Sequence, residues 1–205
     1  MRINSDPKSW RFLSRLSAAF KKKMPMNAYV AIDSNCLTYL VDAMYSCERP
    51  MDGLADQKIA LLRIYLYRDE ILYISSTVQS EYRKIKDASN KERHEGISNI
   101  VLGDVPKSKF KTIEDRFCFY TNFHKGKKNR KDCRILAESE LGGCQYLLTY
   151  DFKYLSRLKE NTEIIKMKTP VEFWSSLNIP KGAKPVRTPH HTNPLSNQTW
   201  WIWKT

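Results

Sequence analysis

From residue 29 onward, short apolar runs alternate with longer amphipathic stretches. Residues 29–33 read Tyr-Val-Ala-Ile-Asp, and 71–75 read Ile-Leu-Tyr-Ile-Ser. Residues 145–149 read Gln-Tyr-Leu-Leu-Thr, and 163–167 form a fourth such run. Each is short, apolar and rich in β-branched or aromatic residues, the pattern of a strand buried on both faces. Between them, apolar positions recur at helical spacing over residues 36–44, 55–69, 132–141 and 152–159. Phe110, Ile113, Phe117 and Tyr120 add a further helical stripe. Ser76 and Gln79 have the spacing of a capping box, which predicts a helix from there through Ile85. Gly142-Gly143 is a helix stop, and Thr169-Pro170 opens a short last helix. Strands alternating with helices predict an α/β fold, a mostly parallel sheet covered on both faces, with ligands at the carboxyl ends of its strands.

The ends depart from this pattern. Residues 1–27 carry Trp10, Leu13, Leu16 and Phe20 at helical spacing among Lys and Arg, predicting a basic amphipathic helix. Such a helix caps the domain or a neighbouring subunit, and an organelle-targeting peptide has the same composition. Residues 178–205 are interrupted by Pro180, Pro185, Pro189 and Pro194 and finish on Trp200-Trp201-Ile202-Trp203. This tail is expected to dock on the body of the protein, or alternatively on a partner. The organisation expected is thus an N-terminal helix (1–27), a catalytic-size domain (28–177) and a Pro/Trp-rich tail (178–205).

Composition narrows the chemistry. The 205 residues include 35 Lys+Arg against 22 Asp+Glu, a formal net charge of +13. That excess points to a polyanionic partner, with nucleic acid first. No apolar run approaches the ~20 residues that span a bilayer. Five scattered cysteines without a C-x-x-C pair support neither a disulfide framework nor a cysteine zinc site, and fit a reducing cytoplasm. With seven glycines and neither phosphate-binding glycine motif, a P-loop or dinucleotide site is excluded. His94-Glu95 starts like a zinc-protease helix, but Ser98 stands where the second His belongs, so this pair is read as surface.

Four acids fall where such a sheet builds a site. Asp33 ends the first strand and Glu81 lies in the helix after the second. Asp132 opens a helix, and Asp151 follows the strand ending in Thr149. Capping alone would explain Asp132 or Asp151, and a solvated helix face would explain Glu81. Asp33 is harder to dismiss, because an acid directly ending an apolar strand is partly buried without a partner. Converging carboxylates repel unless a cation holds them, and oxygen ligands without His or Cys select a hard ion, Mg²⁺ or Mn²⁺. A phosphatase of the haloacid type would need a second Asp at position 35, where Asn35 stands.

These segments together resemble the PIN-domain ribonucleases, whose best-known members are VapC-like toxins. The resemblance is carried by Val30-Ala-Ile-Asp33-Ser34-Asn35 and Ser76-Thr-Val-Gln-Ser-Glu81. It continues through Asp132 with Ile135-Leu-Ala137-Glu138, Leu148-Thr149-Tyr150-Asp151-Phe152, and Thr169-Pro170-Val-Glu-Phe173. It covers residues 28–177 and implies a PIN-like three-layer α/β/α fold. It also implies an acidic metal site of Asp33, Glu81, Asp132 and Asp151, supported by Ser34, Asn35 and Thr149. The activity implied is Mg²⁺/Mn²⁺-dependent endoribonucleolytic hydrolysis leaving a 5′-phosphate and a 3′-hydroxyl, in a toxin, defence or RNA-processing role. A homodimer and an antitoxin or other protein partner, held by the tail or the N-terminal helix, are further implications. The long first crossover and the two end segments depart from the compact toxins. A nuclease preferring DNA or junctions, and a nucleic-acid-binding scaffold with an inactive site, are the alternatives.

The basic residues are unevenly placed. Between Lys107 and Arg134 stand ten Lys/Arg against three acids, a net +7 beside one catalytic candidate. Lys125, Lys127, Lys128, Arg130, Lys131 and Arg134 are expected to hold RNA phosphates. Phe119 and Phe123 are candidates to stack bases, whereas Phe117 and Tyr120 read as core.

Overall fold

A computed structural model describes residues 28–45, 48–107, 110–126, 129–162 and 164–204. The expected N-terminal helix within 1–27, together with Lys127 and Lys128, lies outside the described residues. The order is β1 (Val30–Ile32), α1 (Ser34–Tyr45), α2 (Ala55–Tyr67), β2 (Leu72–Ile74), α3 (Ser76–Tyr82), α4 (Ala88–Val101) and β3 (Leu102–Asp104). Then come α5 (Phe110–Phe123), α6 (Arg130–Leu141), β4 (Tyr146–Leu148), α7 (Phe152–Leu158), β5 (Lys166–Lys168) and α8 (Pro170–Ser176).

The five strands form one sheet in the order β3-β2-β1-β4-β5, every neighbouring pair parallel. Val30, Ala31 and Ile32 have no exposed surface, as the central strand of a sheet covered on both faces must. The expected α/β class and PIN-like three-layer α/β/α arrangement are therefore present, and the sheet is wholly parallel. The chain builds outward from β1 through β2 to β3, then returns to β4 on the other side of β1. The strand order reverses between β1 and β4, where the crevice of an open parallel sheet forms.

Several local expectations need correction. The edge strand β3 and the helix before it were not foreseen. Leu-Gly-Asp is no apolar run, and α4 is mostly polar, buried only at His94 and Ser98. What starts α4 is a cap, Asp87, whose side chain accepts from the Asn90 amide at 2.7 Å. His94 is buried, not at the surface as expected, because its ring packs against Tyr82 under α1. The cap of α3 is Ser75, which accepts from the Val78 amide. That leaves the Ser76 hydroxyl to donate to Glu138 and the Gln79 amide to Asp104, in place of the expected capping box.

At the last helix a capping box is present, Thr169 with Glu172, preceding Pro170 in the first turn. The Gly142-Gly143 stop ends α6. Gly143 has φ +84°, and a Cβ on Gly142 would come within 2.9 Å of the Pro106 carbonyl oxygen and closer still to Val105. The tail docks on the body. Trp201 and Leu195 are buried, the Arg63 Nε donates to the Trp201 carbonyl at 2.8 Å, and Trp203 packs edge-on against Trp174. Among the described residues no helix is long and apolar enough to cross a membrane.

Candidate active site

Asp33 is the residue after β1, and its amide still donates to the Leu148 carbonyl at 3.2 Å, which keeps it in register beside β4. Its side chain is 5 % exposed. Burial raises its pKa, and Asp151 adds to the rise. Hydrogen bonds from Thr149 and from the Cys36 amide, 2.7 Å from Oδ1, work against it.

Asp151 follows β4 and caps α7, its Oδ1 accepting from the amides of Lys153 (2.9 Å) and Tyr154 (3.0 Å). The capping explanation therefore holds for one of its oxygens. The fully buried Thr149 links the two acids, since its hydroxyl bonds the Asp33 side chain and its oxygen accepts from the Asp151 amide at 3.0 Å. A single hydroxyl thus joins the Asp33 side chain to the Asp151 backbone across the reversal point of the sheet.

Asp132 sits in the first turn of α6, whose cap position is Asn129, so capping does not explain it. Its backbone carbonyl accepts from the buried Tyr154 hydroxyl at 2.7 Å, which ties α6 to α7. Its pKa is pushed up to about 7, by burial first and then by the charges of Asp33, Asp151 and Glu81, with Lys131 opposing. All four acids are therefore electrostatic neighbours, although they come from four separate stretches of chain. Glu81, near the end of α3, accepts from the Ser34 hydroxyl and pairs with Lys131 Nζ at 2.7 Å. Asn35 contributes through its backbone, its carbonyl accepting from Tyr150 at 2.6 Å.

Among the described residues no three His, Cys, Asp or Glu side chains are gathered closely enough to hold a metal ion as they stand. Two observations account for the spacing. One Asp151 oxygen serves as a helix cap, and Glu81 is turned onto Lys131. The donor set nevertheless suits a hard divalent cation, being all carboxylate oxygen, with Asp33, Asp151 and Glu81 adding to the burial that raises the Asp132 pKa.

His124 was not singled out from the sequence. It is buried against the Tyr154 ring, with Nε2 3.9 Å from an Asp132 oxygen. Burial first, and then the Arg157 charge, lower its pKa, with Asp151 opposing. The signal available in the sequence was only its position eight residues before Asp132.

The basic residues divide into two groups. Lys125, Arg130 and Lys131 are exposed, as are Arg83, Lys84 and Lys86 after α3 and Lys153 and Arg157 on α7. Arg130 lies over the Phe117 ring, 5.0 Å from its centroid. Arg134 is instead paired with Glu114 and Glu138, and Arg116 with the buried Glu140, so both join the packing of α5 on α6. Phe117 and Tyr120 are core, as expected, while Phe123 is exposed. No protein-family model matches this chain, and no curated protein matches it.

Proposed function

We propose that this chain is a PIN-type endoribonuclease that hydrolyses RNA phosphodiester bonds with Mg²⁺ or Mn²⁺. The observation that carries the reading is the convergence of Asp33, Glu81, Asp132 and Asp151 at the reversal point of a parallel sheet, where burial first, and then their mutual repulsion, lift Asp132 to about 7. Carboxylates that only capped helices or faced solvent would not be placed to repel one another across four segments.

Asp33, Asp132 and Asp151 would hold the cation, with Glu81 joining them on leaving Lys131. A bound divalent cation supplies a water of lowered pKa and charge neutralisation at the scissile phosphate. The remaining work belongs to the chain. Thr149 ties the Asp33 side chain to the Asp151 backbone, and Tyr154 holds the start of α6 against α7. Lys131, once released by Glu81, is positioned to meet a phosphate oxygen. The exposed Lys125, Arg130 and Lys153 bring a polyanion to an acidic centre it would otherwise avoid.

A second reading rests on Lys131. Its ammonium occupies Glu81 as a cation would, which suits an RNA-binding scaffold whose acidic site does no chemistry. Incubating single-stranded RNA and DNA of the same sequence with the protein and Mn²⁺, and mapping the product ends, separates the readings. The endoribonuclease cuts RNA to 5′-phosphate and 3′-hydroxyl ends and is stopped by EDTA. Intact RNA retained on the protein would favour the scaffold.

A further inference from the structure

The described chain starts at Ala28, ahead of β1 and therefore at the end of the sheet opposite the acids. Two arginines tie this start to the rest of the molecule. The Ala28 carbonyl accepts from Arg68 Nη2, and the Arg68 carbonyl accepts from Arg187 Nη1, which also donates to the Tyr65 carbonyl at 3.0 Å.

Arg187 lines a cleft of about 480 Å³, within the range of small-ligand pockets, roughly 300–1,000 Å³. The walls are apolar: Met44 and Tyr45 at the end of α1, Leu66 of α2, and Ile97, Ile100 and Val101 at the end of α4. None of the three α4 residues is buried. Ile100 is 82 % exposed and Tyr45 47 %. Large apolar side chains gathered in this way mark a docking surface.

The sequence supplies an occupant at this place. Residues 1–27 precede Ala28 and carry Trp10, Leu13, Leu16 and Phe20 at helical spacing. In a helix this stripe is ~15 Å long, at ~1.5 Å per residue, and Lys8, Arg11, Arg15 and Lys22 fall on the opposite face. Residues 21–27, extended, reach up to roughly 23 Å at ~3.3 Å per residue, and the cleft begins one arginine away from Ala28. A tether this short gives an effective concentration on the order of millimolar, so a modest apolar contact saturates within one chain long before it would between two copies.

We propose that the N-terminal segment docks as an amphipathic helix on its own chain, seating the Trp10–Phe20 stripe in the cleft between α1, α2 and α4. Docking covers Tyr45 and Ile100 and leaves the basic face in water, at the end of the sheet away from the acids. The proposal is independent of the ribonuclease reading.

The test is hydrogen–deuterium exchange of the full chain, read peptide by peptide by mass spectrometry. Peptides across residues 10–20 should exchange at least about tenfold more slowly in the wild-type chain than in Ile100→Asp. That substitution charges the cleft at a residue too exposed to support the core. Leu13→Asp should release the segment equally from its own side, with β1 and β4 peptides keeping wild-type exchange in both variants. Fast exchange over residues 10–20 in the wild-type chain, or slow exchange that survives Ile100→Asp, overturns the proposal. Slow exchange that disappears on dilution of the protein places the segment on a second copy and overturns docking within one chain.

Discussion

Asp132 illustrates how a half-buried carboxylate among other acids weakens the fold that carries it. Its folded pKa of about 7 lies above the ordinary aspartate value of 3.8, so the native state binds more protons than the unfolded chain between those values. Stability therefore falls as pH rises through this window, and the whole penalty is present above pH 7. Asp132→Asn should stabilise the cation-free protein at pH 8 and leave stability unchanged below about pH 4, where the carboxyl is neutral in both states. The Asp132 side chain is 36 % exposed, and solvent screening reduces the gain to on the order of 1–2 kcal/mol. Urea unfolding in EDTA at the two pH values measures it, and no gain at pH 8 would refute the penalty that burial and repulsion together place on the charged carboxylate. The position of Asp132 was legible in the sequence, but the causes of its shift were not, since they are its burial in the fold and the approach of three acids from other segments. His94 and His124 were misjudged or passed over for a related reason. Each is buried by rings or hydroxyls far away in the chain, and no local periodicity records such contacts.

Among the elements, those built from apolar, β-branched runs could be read directly. β1, β2 and β4 fall inside the expected stretches, because a strand buried on both faces needs nearly every residue apolar. β3 had no such requirement. As an edge strand of three residues with half-exposed sides, it is held by pairing to β2 and not by its own composition. Helix ends depended on which hydroxyl or carboxylate reached a backbone amide. Ser75 and Asp87 do so, whereas Ser76 is diverted to Glu138. The turn after α6 is fixed by contact as much as by conformation. Gly142→Ala should destabilise the protein by about 1–3 kcal/mol, since the new methyl group meets Val105 and the Pro106 carbonyl within a packed turn. A urea midpoint unchanged by this substitution would show that the turn can yield.

At the level of the molecule, the tail contributes to the body it leaves. Trp201 is 4 % exposed and its indole N–H donates to the Leu195 carbonyl at 3.0 Å. Arg63, on α2, holds the Trp201 and Ile202 carbonyls. Trp201→Ala should cost roughly 3–5 kcal/mol, the range for deleting a buried aromatic side chain. Thermal unfolding monitored by far-ultraviolet circular dichroism would reveal the loss, and a change under 1 kcal/mol would mean that the tail rests on the surface without supporting it. The net charge of +13 divides in a similar way. Arg116 and Arg134 are used in packing, while Lys125, Arg130, Lys131 and Lys153 are exposed and Lys131 reaches Glu81 at the acidic centre.

The account depends on that centre acting through a divalent cation on RNA. The most direct measurement is the rate of RNA strand scission as Mn²⁺ is raised, for the wild-type chain and for Asp33→Asn. The substitution keeps the acceptor for the Cys36 amide but removes the charge between β1 and β4. The account predicts scission that saturates with Mn²⁺, vanishes in EDTA, and falls by at least about a hundredfold in a folded Asp33→Asn protein. Scission at the wild-type rate by that variant, or cleavage that persists in EDTA, would contradict it.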